Sequence, residues 1–295
     1  MNNPVFYGTG VALVTPFKKN LSVDHAALEN IVKHTLNNGA DFLVALGTTS
    51  EAPVLTQDEK QSVVKTIVKT CGERAPIMLG MGGNNTASVV AQIKEQDFQG
   101  ISGILSVVPY YNKPQQGGII AHFNAIATAS PVPVVLYNVP GRTALNMTAQ
   151  SCLELAQHPN IIAVKEASGD LQQIMTILKD KPADFSVLSG DDALTMPLIA
   201  LGADGVISVA ANAYTADFSQ MVKLQRAGKT HEARILHYKM LEMTTLLFED
   251  GNPAGVKALL NLMGLCEDQL RLPLLSMRPA LKQKMKIIFD QNQIH

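Results

Sequence analysis

The chain carries almost no surplus charge and no long apolar run. Its 24 basic and 25 acidic residues are interspersed and leave a net charge of −1. No basic patch or acidic tail is present to suggest a nucleic acid or a membrane surface as partner. No apolar stretch reaches the ~20 residues of a membrane span. Cysteine is scarce: Cys71, Cys152 and Cys266 are three in number, far apart, and in no CxxC or Cys/His spacing. That supports neither a disulfide framework nor a zinc site, and it fits reduced thiols in a cytoplasmic protein. The opening Met1-Asn2-Asn3-Pro4 lacks a basic region followed by a long apolar run, so no signal peptide is expected. No GxGxxG follows the first apolar run, and Gly80-Met81-Gly82-Gly83 lacks the Lys-Ser/Thr of a phosphate loop. A tight βα turn is the expected use of those glycines.

With 295 residues, 46% hydrophobic and 17% charged, the chain has ample material for a large core. Short apolar runs alternate with amphipathic segments. The runs predict strands over 10–14, 42–46, 77–79, 103–107, 134–137, 161–164, 185–188 and 206–209. Helix-start signals fall between them. Thr56-Gln57-Asp58-Glu59 is a capping box ahead of Val63, Val64, Ile67 and Val68. Ser22, Thr148 and the Asp191-Asp192 pair are expected to open others, and Asn38-Gly39 to close one. Alternating βα units imply a parallel sheet, and about eight of them favour closure into an α/β fold of the (β/α)8 TIM barrel type. After Tyr214 the pattern becomes helical, over 216–227, 230–248, 253–263 and 279–290. The expected organisation is a barrel over 1–213 with a C-terminal helical extension over 214–295 packed on it as a single structural unit.

Barrel chemistry lies at the C-terminal ends of the strands, and the unusual residues collect there. Gly47-Thr48-Thr49-Ser50-Glu51 follows the second strand, Pro109-Tyr110-Tyr111-Asn112 the fourth, and Tyr137-Asn138-Val139-Pro140-Gly141-Arg142-Thr143 the fifth. Ser189-Gly190-Asp191-Asp192 follows the seventh, and the eighth contains Ile207. Lys165 closes the apolar, β-branched run of the sixth. Burial disfavours an ammonium, and an amine that sheds its proton is a Schiff-base nucleophile. A strand-end lysine can equally snorkel to water or pair with a carboxylate. Taken singly, the others have bland readings too: a core tyrosine, a solvated arginine, a turn threonine.

A carbonyl-condensing lysine needs a proton carrier, donors for a carboxylate, and walls that exclude water. Tyr137 and Tyr111 can carry protons. Thr48, Thr49 and the backbone near Gly190 and Ile207 can bind a carboxylate, and Arg142 a second one in bidentate fashion. Two carboxylate sites point to a keto acid and a second acid.

From Gly10-Val11-Ala12-Leu13-Val14-Thr15-Pro16-Phe17 to the helical tail, the chain resembles the class I pyruvate-condensing lyases and aldolases built on a (β/α)8 barrel. The segments containing Thr48-Thr49, Tyr110-Tyr111, Tyr137, Arg142, Lys165-Glu166-Ala167-Ser168-Gly169-Asp170 and Ser189-Gly190-Asp191-Asp192 occur in the family's order. Within the family, the resemblance implies condensation of pyruvate with L-aspartate 4-semialdehyde. It implies that Lys165 forms the imine and that Tyr137 is the general acid/base. Thr48 and Tyr111 would complete a proton relay, with Tyr111 from a neighbouring subunit of a homotetramer built from two dimers. Thr49 and Ile207 would hold pyruvate, and Arg142 the semialdehyde carboxylate. No metal or organic cofactor is implied. A sister lyase acting on a sialic acid or 2-keto-3-deoxy sugar acid is the alternative; Arg142, Tyr111 and the Thr48-Thr49 pair favour an acidic amino aldehyde over a polyol. A catalytically dead barrel should lack the lysine or its acid/base partner, and both are here.

Two departures stand out. Ser50 and Ala52 replace a Gly and a Ser that the family often shows. Many relatives also bind lysine as a feedback inhibitor at a subunit interface, and Tyr110 and Asn84 match that allosteric site. However, Gln57 and Lys60 stand where histidines often occur, and Ser88 where a glutamate would meet the inhibitor's amine. The resemblance therefore implies weak or absent inhibition by L-lysine.

Overall fold

The computed structural model describes residues 5–292; the opening segment 1–4, read above for a signal peptide, and residues 293–295 lie outside the described residues. Eight parallel strands close into a barrel in sequence order. They are β1 Gly8–Ala12, β2 Phe42–Ala45, β3 Ile77–Gly80, β4 Gly103–Val107, β5 Val134–Asn138, β6 Ile161–Glu166, β7 Ser186–Ser189 and β8 Gly205–Ser208. The surrounding helices are α1 His25–Asn37, α2 Gln57–Cys71, α3 Thr86–Glu95, α4 Gln116–Ala129, the short α5 Pro140–Thr143, α6 Ala149–Leu155, α7 Leu171–Asp180, α8 Thr195–Ala200 and α9 Thr215–Arg226. Three more follow: α10 Thr230–Glu249, α11 Ala254–Leu262 and α12 Pro279–Asn292. Among the described residues no helix is long and apolar enough to cross a membrane.

Every expected strand is present, and the shifts have local causes. β1 begins two residues early because Gly8 pairs with Gly205 and Gly10 with Ile207 across the closing seam. A Cβ on Gly205 would lie 2.2 Å from the Gly8 carbonyl oxygen, so the seam closes only where both backbones are bare. Val14 lies beyond the ladder; its N–H goes to the Asn212 side chain at 3.2 Å. α9, counted with the tail by the pattern alone, packs on β1 and α1 and so covers the seam as the eighth barrel helix. α10 packs on α8 and α9, and α12 on α10 and α11.

The helix starts follow the same logic. Thr56 and Glu59 form the reciprocal capping box, and Thr148 and Asp170 cap α6 and α7. Ser22 does not start α1. A bridge between Phe17 and Val23 keeps the chain extended past it, and the Asp24 side chain accepts from the Ala27 N–H at 3.1 Å. Asp191 and Asp192 do not cap α8, which follows Leu194 without a side-chain cap.

Alternation along the strands divides the core into two. Outward residues pack beneath the helices. Inward residues (Ala12, Phe42, Val44, Met78, Leu105, Val135, Tyr137, Ala163, Leu188 and Ile207, joined by Phe6) fill the barrel interior. Phe6 and Phe42 meet edge-to-face at 5.3 Å. Gly10 makes room for that pair: a Cβ there would fall 2.2 Å from two atoms of the Phe42 ring. Gly10→Ala should therefore cost about 1–3 kcal/mol through overpacking, read as a lower urea midpoint. Adding Phe42→Leu should restore part of the loss.

Candidate active site

Parity along β5 and β6 sets the centre of the site. Tyr137 and Lys165 are register partners on these adjacent strands, both face the barrel interior at its C-terminal end, and both are 6% exposed. The Lys165 Nζ lies over the Tyr137 ring, 4.3 Å from its centroid. The amine is held inside rather than snorkelling, and it has no carboxylate partner among the described residues. Gly190 sits alongside: a Cβ there would fall 3.0 Å from the Lys165 Cε and 2.6 Å from the Ala167 Cβ. The Gly190 N–H donates to the Glu166 carbonyl at 2.7 Å. Its contribution is therefore room for the lysine stem, and its own N–H is not free for a carboxylate.

Glu166, one residue on, faces outward and is buried. Its carboxylate accepts from Asn138 Nδ2 at 2.7 Å, Gln173 Nε2 at 2.8 Å and the Ser168 N–H at 2.8 Å. The outer faces of β5 and β6 are thus tied together directly behind Tyr137 and Lys165. Asn138 in turn accepts from the Met147 N–H at 3.0 Å, which fixes the chain beyond Arg142.

The loop after β2 brings Thr48 and Thr49 to the same rim. It forms a single 3-10 turn, Thr48–Ser50, between two left-handed residues, Leu46 at φ 52° and Glu51 at φ 56°. Such conformations cost about 1–3 kcal/mol each in a non-glycine residue and persist when surroundings over-determine them. Gly80 supplies one constraint, because a Cβ there would lie 2.2 Å from the Leu46 carbonyl oxygen. The expected turn role of the 80–83 glycines is in part this close approach. The other constraint is a buried ion pair. Lys257 Nζ meets Glu51 Oε1 at 2.5 Å, with both side chains fully buried. Lys257 also donates to the Gln269 carbonyl at 2.9 Å, and the Arg271 N–H donates to Glu51 Oε2 at 3.1 Å. Burial pushes the Lys257 ammonium below its ordinary pKa, while the Glu51 charge pulls it back up. Thr49, itself buried, accepts from Asn252 Nδ2 at 2.9 Å.

At β8, Asp192 turns inward. Its carboxylate accepts from the N–H groups of Val209 at 3.1 Å and Ala210 at 2.8 Å, pinning the turn that follows Ile207. Burial raises this carboxyl to about 6, against the pull of those hydrogen bonds. Arg142, on the exposed α5, forms no ion pair among the described residues. Tyr111, at φ 76°, is 85% exposed, its side chain turned largely to solvent. Tyr110 and Asn84 come together on the outer side, Asn84 Nδ2 donating to the Tyr110 carbonyl at 3.3 Å. Among the described residues no cluster of three or more His, Cys, Asp or Glu is placed to hold a metal ion.

Pattern reading missed Asn252, Lys257 and the partners of Glu166. One signal was available for Lys257: it is a lone charge in Ala254-Gly255-Val256-Lys257-Ala258-Leu259-Leu260, the same anomaly that marked Lys165.

The fold and the rim thus define a (β/α)8 barrel with a buried lysine and tyrosine side by side at the C-terminal ends of β5 and β6. Comparisons with known proteins narrow the class. The Dihydrodipicolinate synthetase family profile matches residues 5–292, and the chain belongs to that family. It is 52% identical over 97% of both chains to the 4-hydroxy-tetrahydrodipicolinate synthase of Parabacteroides distasonis. Among solved structures, it matches the dihydrodipicolinate synthase of Aquifex aeolicus with TM-score 0.94 and 38% identity, over 98% of this chain and 99% of that one. It matches the lysine-bound enzyme of Cyanidioschyzon merolae at the same score and identity, over 99% of this chain and 100% of that one.

Lys257→Met should leave the Glu51 carboxylate buried and uncompensated, at a cost of about 3–5 kcal/mol. In Glu51→Gln/Lys257→Met neither position of the pair carries a charge, and most of the loss should return. Denaturant unfolding of the two variants beside the parent checks this.

Proposed function

We propose that the chain is a lyase that condenses pyruvate with L-aspartate 4-semialdehyde to 4-hydroxy-tetrahydrodipicolinate and water, the first committed step of the diaminopimelate route to lysine. The observation that carries the reading is Lys165, buried inside the barrel mouth with its amine over Tyr137 and with no carboxylate partner among the described residues. In this reading the amine attacks the pyruvate C2 carbonyl, and loss of water leaves an imine. Removal of a C3 proton gives an enamine, whose carbon attacks the aldehyde. The semialdehyde's amine then displaces Lys165 at C2 and closes the ring.

Tyr137 carries protons in imine formation and cyclisation, with Thr48 and Tyr111 relaying them. The exposure of Tyr111 supports its acting in a neighbouring subunit's site, within a homotetramer of two dimers. Thr49 and the main chain around Ile207 hold the pyruvate carboxylate. Arg142, on the rim and without an ion pair among the described residues, takes the carboxylate of the semialdehyde. The barrel and its helical extension act as one unit here, since the site draws on both. Three free, buried cysteines fit a cytoplasmic setting.

Borohydride reduction in the presence of pyruvate tests the first step: the mass increase should map to Lys165, and labelling elsewhere or none would sink the mechanism. Arg142→Ala should lose roughly 10–100-fold in kcat/KM for the semialdehyde, as expected for a charge-assisted pair, while leaving the trapping intact. Equal loss in both assays would reassign Arg142.

The hydrogen bond from Asn84 to the Tyr110 carbonyl supports reading the two as an allosteric pair, but Ser88, Gln57 and Lys60 supply no carboxylate for a ligand amine. We therefore propose weak or absent feedback by lysine. Steady-state rates at rising L-lysine should stay flat through the sub-millimolar range; inhibition there would refute the assignment.

A further inference from the structure

Thr49 is buried, and its hydroxyl has one side-chain partner among the described residues, Asn252 Nδ2 at 2.9 Å. A hydroxyl has one hydrogen to give and two lone pairs to accept with. Because the Asn252 amide occupies a lone pair, the Thr49 hydrogen remains to be donated elsewhere. The amide's orientation matters. Flipped, its oxygen would accept that hydrogen and leave the hydroxyl no donor for a ligand. The observed orientation leaves the Asn252 Oδ1 unpaired and buried. The flipped one would instead strand both N–H donors, and buried orphan N–H groups are rarer than under-satisfied carbonyl oxygens.

The segment bearing Asn252 is held firmly. Lys257 anchors it to Glu51, two residues beyond Thr49. Gly255 lets α11 lie against α10 so closely that a Cβ would fall 2.2 Å from the Leu247 carbonyl oxygen.

We propose that Asn252, contributed by the helical region after the barrel, is a positioning residue for pyruvate: it holds the Thr49 hydroxyl as a donor towards the substrate carboxylate. This rests on the pyruvate-imine reading above. Asn252 acts through Thr49, so its effect should vanish where Thr49 has no hydroxyl.

The test is a double-mutant cycle of Thr49→Val and Asn252→Leu, the leucine keeping the shape of the asparagine without its polar atoms. The readouts are the pyruvate dependence of borohydride trapping at Lys165, and KM and kcat with both substrates. Each single variant should raise the half-saturating pyruvate roughly tenfold, the worth of one buried hydrogen bond, with kcat within about threefold of the parent. The double variant should match Thr49→Val alone. An unchanged half-saturation in Asn252→Leu, or a double variant showing the product of the two single effects, overturns the proposal. Absence of trapping in the parent would instead overturn the imine reading. Should Asn252→Leu melt below the assay temperature, Asn252→Asp replaces it. The carboxylate captures the Thr49 hydrogen, so the same rise is expected, and an unchanged value again overturns the proposal.

Discussion

The buried pair of Glu51 and Lys257 is the constraint on which the rim depends. Two charges with no exposed side-chain surface are tolerable only because each has further partners: the Gln269 carbonyl for the lysine and the Arg271 N–H for the glutamate. The Lys257 Nζ and the Arg271 guanidinium also lie over the Phe17 ring, at 4.2 and 4.5 Å. Arg271 then reaches the Leu21 and Val54 carbonyls and the carboxylate of Glu59. That contact holds Glu59 down at about 2, so it stays charged through the physiological range. Through these contacts the loops after β1 and β2 are bound to the chain beyond α11. A left-handed Glu51 survives because the ion pair leaves it no alternative.

A second division of labour runs along β6. Lys165 and Glu166 are neighbours in sequence and opposites in environment. The lysine faces the interior beside an aromatic ring, and the glutamate faces outward into a full set of donors. A carboxylate so close in sequence could have neutralised the amine. The period of the strand puts it on the other face, where it stiffens the β5–β6 pair instead. The Lys165 amine thereby has no salt bridge among the described residues, while its strand is fixed in place.

The barrel was legible in the sequence because a parallel strand buried on both faces writes itself as an apolar run, and the capping box at Thr56 and the cap at Thr148 are local signals. The rim residues were legible because polar groups ending apolar runs are anomalous. The rest depended on distant partners. Ser22 lost the start of α1 to Asp24 because of a bridge formed by Phe17, and Asp192 was drawn from capping α8 to the N–H groups of Val209 and Ala210. Asn252 meets Thr49 across 203 positions of chain, a pairing no local pattern contains. Gly190 serves by absence of bulk, which shows only once Lys165 lies beside it.

The tie between residue 51 and residue 257 also bears on how such a chain can be reshuffled. A barrel is commonly treated as an autonomous module to which a tail is appended. Here the acid belongs to the barrel and the base to the appendage, each deeply buried and each intolerable alone. Recombination that exchanges one segment without the other would succeed only where the incoming piece brings the matching charge. The two parts of the chain should consequently be exchanged together, the tail travelling as a component of the barrel's rim.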